Sequence, residues 1–449
     1  MSTNAPSASK VIPVLKSRFY HPVKRIIAQL GEAFERDGDV VQVTGFPIKL
    51  FCFRNPEHIA KILTHAPVGE TKYSKILPRV QWVMRSGAYI LSGGPPWRER
   101  RHLVQAAFRR QCLMEYAAQV PALTRRMLER WNALAESGES FDAYRELRLL
   151  ITQTSFKTLF SEDLSGDALD EIQEHTHFIE SSFIEIPPLW LPLPRQLRFR
   201  RSTHRLREVM RALIRRRRAH SQQRQDLLSV LLELKHSESG LAWSDDEMID
   251  EMFSVYFGAS VMATTLAWGL HLMATHPVVQ EKMIQEGREV LQGRDPVVED
   301  LPQLNYCHWV LQEILRLYPP SWGYPRHCVQ GMELDGYQIP PKSMVIPMVY
   351  HTQRDPRLWP DPERFDPERF DPQRASKITP YAAFPFGGGA RMCLGANFAP
   401  LVMRLILTMI FQRYRLEFRP RFAADPVAEF GFEIHPQDQI PMRVQRLGS

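Results

Sequence analysis

Cysteine is scarce in this chain of 449 residues. Its five cysteines lie at positions 52, 112, 307, 328 and 393. They are scattered and odd in number, so they cannot all pair in an internal disulfide framework, and a reducing compartment is the simpler interpretation. No apolar run long enough for a secretory signal precedes Lys10, Lys16 and Arg18. The sequence therefore predicts a soluble, cytoplasmic protein without an N-terminal membrane anchor.

Charged side chains are absent from one long stretch. Residues 252–280 contain no Asp, Glu, Lys or Arg, and these 29 residues are enough to span a bilayer. Ser, Thr, His and Gly interrupt the stretch, and no cluster of Lys or Arg flanks its ends, so a buried core helix is favoured over a membrane span. A capping box from Ser244 to Glu247 starts this helix. We predict that it covers residues 245–274 and ends before Pro277, a length of about 45 Å.

An excess of positive charge is missing outside one segment. The chain carries 57 Lys and Arg against 50 Asp and Glu, a net charge of +7. Eleven arginines and one acid, Glu208, lie in residues 195–218, so this segment carries +10 and the remainder −3. Apolar residues recur there at helical spacing, which predicts an amphipathic helix with a basic outer face. A solvated surface and a docking surface both remain open, whereas nucleic acid is disfavoured because Phe199 is the only aromatic residue in the segment.

Strands are few. Residues 40–43 and 48–53 are predicted to form two paired strands, followed by a helix that begins at Asn55, Pro56 and Glu57. Length alone suggests about three domains, but the chain shows neither an internal repeat nor an interdomain linker. The pattern predicts a mainly α fold with a small β portion.

The loop around Cys393 is the most informative segment. Three consecutive glycines at 387–389 let the backbone approach a flat group closely, and the apolar pattern after Cys393 predicts a helix just beyond it. A thiolate at a helix N-terminus, with Arg391 two residues before it, would have its negative charge stabilised twice, as a strong metal ligand requires. The segment lacks the Lys-Ser or Lys-Thr of a phosphate-binding loop after Gly395, and its glycine spacing does not fit a dinucleotide-binding loop.

The pattern Phe386-x-x-Gly389-x-Arg391-x-Cys393-x-Gly395 resembles the haem-binding loop of the cytochrome P-450 superfamily at every fixed position. This resemblance implies the cytochrome P-450 fold, mainly α with a small β portion, with haem b at its centre and Cys393 as the iron ligand. It also implies that all 449 residues form a single domain, with no fused reductase and no transmembrane anchor.

Two further segments are similar to conserved parts of that family. Glu313 and Arg316 match its Glu-x-x-Arg helix, and their spacing of three places both charges on one helical face. The resemblance implies that Arg369 completes a buried Glu-Arg-Arg network that holds the cysteine loop in place.

A third resemblance concerns the haem carboxylates. Trp97 and Arg101 are similar to the family's Trp-x-x-x-Arg helix, whose tryptophan and arginine meet a haem propionate. Arg326 resembles a second propionate partner. Arginine suits this role because its planar guanidinium matches a carboxylate better than lysine does.

The long helix departs from the family, which places Gly-x-acid-Thr there to relay protons during oxygen activation. An ungapped alignment places Gly258 at the glycine, Ser260 at the acid and Val261 at the threonine. A register shifted by three makes Thr264 the alcohol but supplies no acid. Three explanations remain open: Ser260 with ordered water or a substrate hydroxyl delivers protons, peroxide replaces dioxygen, or the enzyme rearranges an already oxidised substrate.

The resemblance implies a haem-thiolate monooxygenase that oxidises an apolar small molecule of secondary metabolism, such as a terpenoid, fatty-acyl or polyketide skeleton. A non-catalytic haem or ligand sensor is the alternative of another class. The pocket is expected to be lined by apolar segments at residues 76–91, 186–193, 255–263, 322–325 and 430–432.

The expected redox partner is an acidic ferredoxin or flavodoxin with its reductase. The resemblance places the arginine-rich helix at the substrate entrance, where an acyl carrier protein is a further candidate partner. Neither nucleic acid nor a membrane is expected to be a partner.

Overall fold

The chain is described here by a computed structural model. The described residues are 10–16, 23–45, 49–64, 68–69, 78–85, 88–183, 190–220, 224–235, 240, 242–419, 426, 428–430, 433–437 and 439–448. Parts of the predicted pocket segments 76–91, 186–193 and 430–432 lie outside these residues.

Helices dominate the described part of the chain. The α-helices are α1 (Val23–Asp37), α2 (Pro56–Thr64), α3 (Pro78–Met84), α4 (Gly94–Gln105), α5 (Arg110–Ala117), α6 (Val120–Ser137), α7 (Ala143–Phe160), α8 (Gly166–Ser181), α9 (Pro194–Ala219), α10 (Leu227–Glu233), α11 (Asp245–Thr275), α12 (Pro277–Leu291), α13 (Asn305–Leu317), α14 (Val349–Thr352), α15 (Pro372–Ala375) and α16 (Ala399–Arg413). Short 3-10 helices cover Ala106–Phe108, Val298–Gln303, Pro367–Phe370 and Gly389–Arg391.

The strands form small sheets beside the helices. They are β1 (Val14–Lys16), β2 (Val40–Thr44), β3 (Leu50–Phe53), β4 (Val68–Gly69), β5 (Phe141–Asp142), β6 (Arg326–Cys328), β7 (Met332–Leu334), β8 (Tyr337–Ile339), β9 (Ser343–Pro347), β10 (Tyr414–Phe418), β11 (Ala428–Phe430), β12 (Ile434–Pro436) and β13 (Pro441–Arg446). One sheet has the order β1-β2-β3-β9-β6-β4 and another β10-β13-β5, while β7-β8 and β11-β12 form two-stranded sheets. The predicted pairing of β2 with β3 is confirmed, with Val40 opposite Phe53 in antiparallel register. The mainly α prediction is also confirmed.

The predicted core helix is confirmed as α11. Ser244 and Glu247 form its capping box, and the helix ends at Thr275, one residue beyond the predicted end. Its side chains are buried throughout residues 248–257 and 262–273, whereas residues 258–261 are exposed or partly exposed. In the described part of the chain, α11 is the one helix long and apolar enough to cross a membrane, and 78% of its most apolar stretch is buried. This burial fits a core helix of a soluble protein.

The arginine-rich segment folds as α9, as predicted, with Leu206, Met210 and Ile214 buried on its inner face. Its outer face is less basic than the sequence suggests. Among the described residues, seven of its eleven arginines form ion pairs with acids, chiefly from α8 and the start of α11: Arg198, Arg205, Arg207, Arg211, Arg216, Arg217 and Arg218. A count of charge along the chain misses these acids because they lie on other elements.

Candidate active site

The cysteine loop is held by its own backbone. The Cys393 amide donates to the Phe386 carbonyl at 2.9 Å, and the Met392 amide donates to the Gly389 carbonyl at 3.0 Å. The Cys393 side chain is accessible, yet protein atoms surround it closely enough that burial raises the pKa of its thiol. The Gly395 amide and the positive charge of Arg101 oppose that rise in pKa. A metal ion at the sulfur would itself favour the thiolate.

Two details of the predicted loop are corrected. The helix that follows, α16, begins at Ala399, because turns occupy residues 394–398. Arg391 does not supply the cation that favours the thiolate. Its guanidinium lies 3.9 Å above the Trp97 ring and donates to the Ser92 carbonyl at 2.9 Å, which leaves Arg101 as the cation that acts on Cys393.

Trp97 and Arg101 lie beside the cysteine loop, as their predicted role requires. Arg101 Nη2 donates to the Met392 carbonyl at 2.7 Å and so ties α4 to the loop. Trp97 is only 6% exposed, and its Nε1 has no hydrogen-bond partner among the described residues. A buried indole N–H without an acceptor is costly, so this atom fits an acceptor such as a haem carboxylate. The residues present therefore fit the predicted cofactor.

Arg326 lies on β6 and is 6% exposed. Its Nη1 donates to the Pro325 carbonyl at 3.1 Å. Its role toward the cofactor stays a prediction.

Gly389 is required by the close approach of the loop to α2. Its φ is +64°, a left-handed conformation that favours glycine. A Cβ built on Gly389 would lie 1.9 Å from the Leu63 carbonyl oxygen, so any side chain must displace backbone.

We expect Gly389→Ala to lower the melting temperature and to weaken haem retention, because both strain and a backbone clash oppose the substitution. Gly138→Ala is the matched control, since Gly138 has a similar φ of +68° but no described atom within 4 Å of its Cβ position. The free energy of unfolding of Gly138→Ala should fall only by the cost of a left-handed backbone conformation, about 1–2 kcal/mol. Equal losses of melting temperature in the two variants would contradict the importance of the contact with Leu63.

The predicted Glu-Arg-Arg network comes together. Glu313 and Arg316 have fully buried side chains, and Arg316 donates to both carboxylate oxygens of Glu313, at 2.6 Å and 2.7 Å. Arg369 Nε lies 3.3 Å from Glu313 Oε1, which also accepts from the Asp366 amide at 3.0 Å. The three residues therefore join α13 to the segment that precedes the cysteine loop.

Gln353 is a positioning residue that the sequence did not indicate. Its Nε2 donates to the carbonyls of Leu315 and Arg316, at 3.0 Å and 2.9 Å. Its Oε1 accepts from the Phe384 amide at 3.0 Å. This fully buried amide connects the Glu-Arg-Arg network to the start of the cysteine loop.

The long helix presents two different faces at its centre. With 3.6 residues per turn, Gly258 and Val261 lie on one side of the helix, and the side chains of Ser260 and Thr264 are centred about 110° around the axis from them. Gly258 is exposed and Val261 partly exposed, so their side is the open face of α11. Thr264 is 1% exposed and its hydroxyl lies 3.2 Å from that of Tyr144. The shifted register therefore does not place the Thr264 hydroxyl on the open face.

Two acids missed by the sequence reasoning lie behind α11. Ser260 Oγ donates to the carboxyl of Glu180 on α8 and to the Phe257 carbonyl, the latter at 2.8 Å. Glu433, just before β12, is 6% exposed and hydrogen-bonds Thr264. The acid that α11 lacks between residues 252 and 280 is thus present on neighbouring elements.

Glu251, the last acid before the uncharged stretch, is completely buried. Its Oε1 accepts from the Tyr89 amide at 2.8 Å and lies 3.7 Å from Arg100 Nη1. Burial raises the pKa of Glu251 to about 8, although the charge of Arg100 opposes the rise. Glu251 therefore anchors the loop before α4 to the long helix as a neutral acid near pH 7.

We expect Glu251→Gln to gain stability relative to wild type as pH rises. The folded protein holds this proton up to about pH 8, whereas an unfolded glutamate releases it at its ordinary pKa near 4.3, so wild-type stability falls between these values. Urea midpoints at pH 5 and pH 8 measure the difference. The exposed Glu174→Gln is the charge-loss control, and an equal pH dependence in wild type and Glu251→Gln would contradict the assignment.

The sequence matches the family model described as Cytochrome P450 over residues 6–438. The chain is similar to cyclooctat-9-en-7-ol 5-monooxygenase of Streptomyces melanosporofaciens, 32% identical over 84% of this chain and 83% of the relative. It is also similar to pentalenene oxygenase of Streptomyces avermitilis, 29% identical over 87% of each chain. A human relative, cytochrome P450 4F8, is 30% identical over 80% of this chain and 74% of its own.

Solved structures share the fold. A retinoic acid-bound cyanobacterial CYP120A1 gives a TM-score of 0.85 at 22% identity and covers 97% of this chain and 100% of its own. The heme domain of cytochrome P450DA gives a TM-score of 0.86 at 20% identity and covers 98% of each chain. From the family match and these relatives, the chain belongs to the cytochrome P450 family and is a haem-thiolate monooxygenase.

Proposed function

We propose that Cys393 is the cysteine that ligates the haem iron of this monooxygenase. Burial raises the pKa of Cys52 to about 12 and of Cys307 to about 11, and both side chains are enclosed, at 2% and 0% exposure. Cys393 is accessible on a loop fixed by its own hydrogen bonds, and this accessibility is the observation that carries the proposal. When bound, the haem supplies dioxygen activation for insertion of one oxygen atom into the substrate.

Trp97 and Arg101 would hold the haem carboxylates, with Arg326 as a second guanidinium. Trp97 Nε1 is a buried donor that needs an acceptor, and charge-assisted hydrogen bonds from arginine are the strongest partners for a carboxylate. Arg391, stacked on Trp97, positions that ring rather than the thiolate. The small residues Gly389 and Gly395, with Phe386, keep the loop close to its neighbours.

The open face of α11 borders the reaction site. Gly258 contributes no side chain, and Val261 presents only methyl groups where the family has a hydroxyl. An apolar wall suits a hydrocarbon because burial of apolar surface contributes about 25 cal/mol per Å². The residues of this face therefore contact the substrate and exclude water, but they do not themselves hold a proton.

We propose a cyclic terpene hydrocarbon or a terpene alcohol as the substrate. Two bacterial relatives are named for the oxidation of cyclooctat-9-en-7-ol and of pentalenene. Their names favour a free small molecule over a substrate carried by an acyl carrier protein. The ion pairs that offset the arginines of α9 point the same way, because they leave less unpaired positive charge for an acidic carrier.

P450 monooxygenases take electrons from redox partners, and we propose an acidic ferredoxin or flavodoxin with its reductase, acting on a single-domain oxygenase. The exposed Arg98 lies on α4, and the exposed Arg109 and Arg110 lie at the start of α5. Arg98 is three residues before Arg101, which touches the cysteine loop, so the two share a helical face. Positive charge at this position would steer a negatively charged partner toward the haem.

Product formation tests this proposal. Purified protein would be supplied with ferredoxin, ferredoxin reductase, NADPH and labelled dioxygen, with pentalenene and a fatty acid of similar size as competing substrates. We expect the terpene to gain one labelled oxygen atom. Oxidation of the fatty acid alone would contradict the substrate class, and product from peroxide but not from dioxygen would favour the peroxide-using alternative.

A further inference from the structure

A partly buried polar cluster lies behind the long helix. Glu180 on α8, Ser260 on α11 and Glu433 before β12 line one small cavity with Tyr144 and Arg148 of α7. Its water-accessible space is about 10 Å³, the size that holds about one water molecule. Polar groups from four separate segments of the chain therefore line one small cavity.

Hydrogen bonds connect these groups. Ser260 Oγ donates to Glu180 Oε1. Glu433 bonds Thr264, whose Oγ1 lies 3.2 Å from Tyr144 Oη, and Glu433 Oε2 has no hydrogen-bond partner among the described residues. A buried carboxyl oxygen without a partner is suited to a water molecule that bridges it to Glu180.

The charges around the cluster favour neutral carboxyls. Burial and the negative charge of Glu433 raise the pKa of Glu180 to about 8, and burial also raises the pKa of Glu433. Neighbouring groups lower these pKa values. Arg148 of α7 lowers the pKa of both acids, the Ser260 hydroxyl lowers that of Glu180, and His435 of β12 lowers that of Glu433. His177 of α8 adds no proton at neutral pH because burial lowers its pKa to about 3.

We propose that Glu180 and Glu433 supply the proton that the acid missing from α11 would otherwise supply, and that Ser260 passes it on. The proposal rests on the monooxygenase function assigned to the chain. Ser260 lies within the exposed or partly exposed stretch 258–261 of α11, and it bonds Glu180 behind the helix. Gly258 leaves space on the open face, where no described atom outside its own helix backbone lies within 4 Å of a Cβ position.

The proposed transfer is a proton relay, in which each proton that a group releases is replaced by the next group. The Ser260 hydroxyl releases its proton to water in the open space at Gly258, and the Glu180 carboxyl restores it. The Glu180 carboxylate takes a proton from Glu433 through a bridging water molecule, for which the small cavity has room, and solvent reprotonates Glu433. O–H bonds alone form and break, and no electrons move. Glu180 and Glu433 act through Ser260 and are therefore positioning residues.

A purely structural role is the competing interpretation, in which the cluster ties α8 to α11. Glu180→Gln separates the two roles, because the amide keeps the size and hydrogen bonding of a neutral acid but cannot release a proton. Glu174→Gln, on the exposed side of the same helix, is the matched control.

Infrared spectroscopy of the haem-loaded protein is the first measurement. We expect wild type at neutral pH to show protonated-carboxyl absorption in addition to that of Glu251, and we expect this additional absorption to be lost in Glu180→Gln and kept in Glu174→Gln. This absorption reports the protonation of Glu180 and Glu433 whether or not the enzyme forms product. Its absence would therefore overturn the proposal independently of the haem assignment.

The second measurement is the fraction of NADPH consumption that yields product, as a function of pH. We expect wild-type coupling to fall as pH rises through about 8, because the donor must be protonated. Glu180→Gln should lose coupling at least about tenfold and lose this pH dependence, with KM and melting temperature unchanged. Glu433→Gln should give the same pattern if Glu180→Gln does not fold. Wild-type coupling and pH profile in both variants would overturn the proposal.

Discussion

Replacing Arg316 with alanine is expected to destabilise the folded protein strongly. Both Arg316 and Glu313 have 0% exposed side chains, so the variant leaves a carboxylate buried without its bidentate partner. Breaking a buried pair in this way costs about 3–5 kcal/mol, a large share of a total stability of about 5–15 kcal/mol. The remaining contact from Arg369, at 3.3 Å, is a single longer one.

The urea midpoint of unfolding checks this expectation. Arg145→Ala is the matched control, because Arg145 and Asp170 form an ion pair with 55% exposure on each side, and such pairs contribute at most about 1 kcal/mol. Arg316→Lys should also be strongly destabilised, since lysine keeps the charge but cannot form two parallel hydrogen bonds to the Glu313 carboxylate. A midpoint for Arg316→Ala no lower than that of Arg145→Ala would contradict the importance of the network.

The structural disturbance in Arg316 variants should extend to the cysteine loop. Gln353 bonds the Arg316 carbonyl on one side and the Phe384 amide on the other, so a disturbed α13 shifts the start of the loop. Any Arg316 variant that folds should therefore bind haem more weakly than its stability alone predicts.

Local spacing made much of the site predictable. The distance of three residues between Glu313 and Arg316 places both on one helical face, and the capping residue Ser244 fixes where α11 begins. The glycines around residue 389 follow from the close approach of the loop to α2. These features depend on neighbours in the chain, which the sequence shows directly.

Contacts between distant elements could not be predicted from the sequence. Glu180 is 80 residues from Ser260, and nothing in the periodicity of α8 shows that it meets α11. The absence of an acid from residues 252–280 therefore indicated a missing proton donor, while the structure places acids behind the helix. Arg391 was assigned to the thiolate by its position in the chain, but its guanidinium lies over the Trp97 ring and bonds the Ser92 carbonyl.

Cys393→Ser is expected to have the largest effect on the haem. Serine keeps the size and backbone of the loop, but its hydroxyl is far less acidic than a thiol and does not provide the thiolate that defines this class of haem protein. Cys112→Ser is the matched control, because Cys112 is also a free, partly accessible cysteine outside the loop.

The absorption spectrum of the reduced, carbon monoxide-bound protein separates these variants. We predict a thiolate-type Soret band in wild type and in Cys112→Ser and no such band in Cys393→Ser, even where haem is still retained. A thiolate-type band that persists in Cys393→Ser would contradict the assignment of Cys393 as the iron ligand.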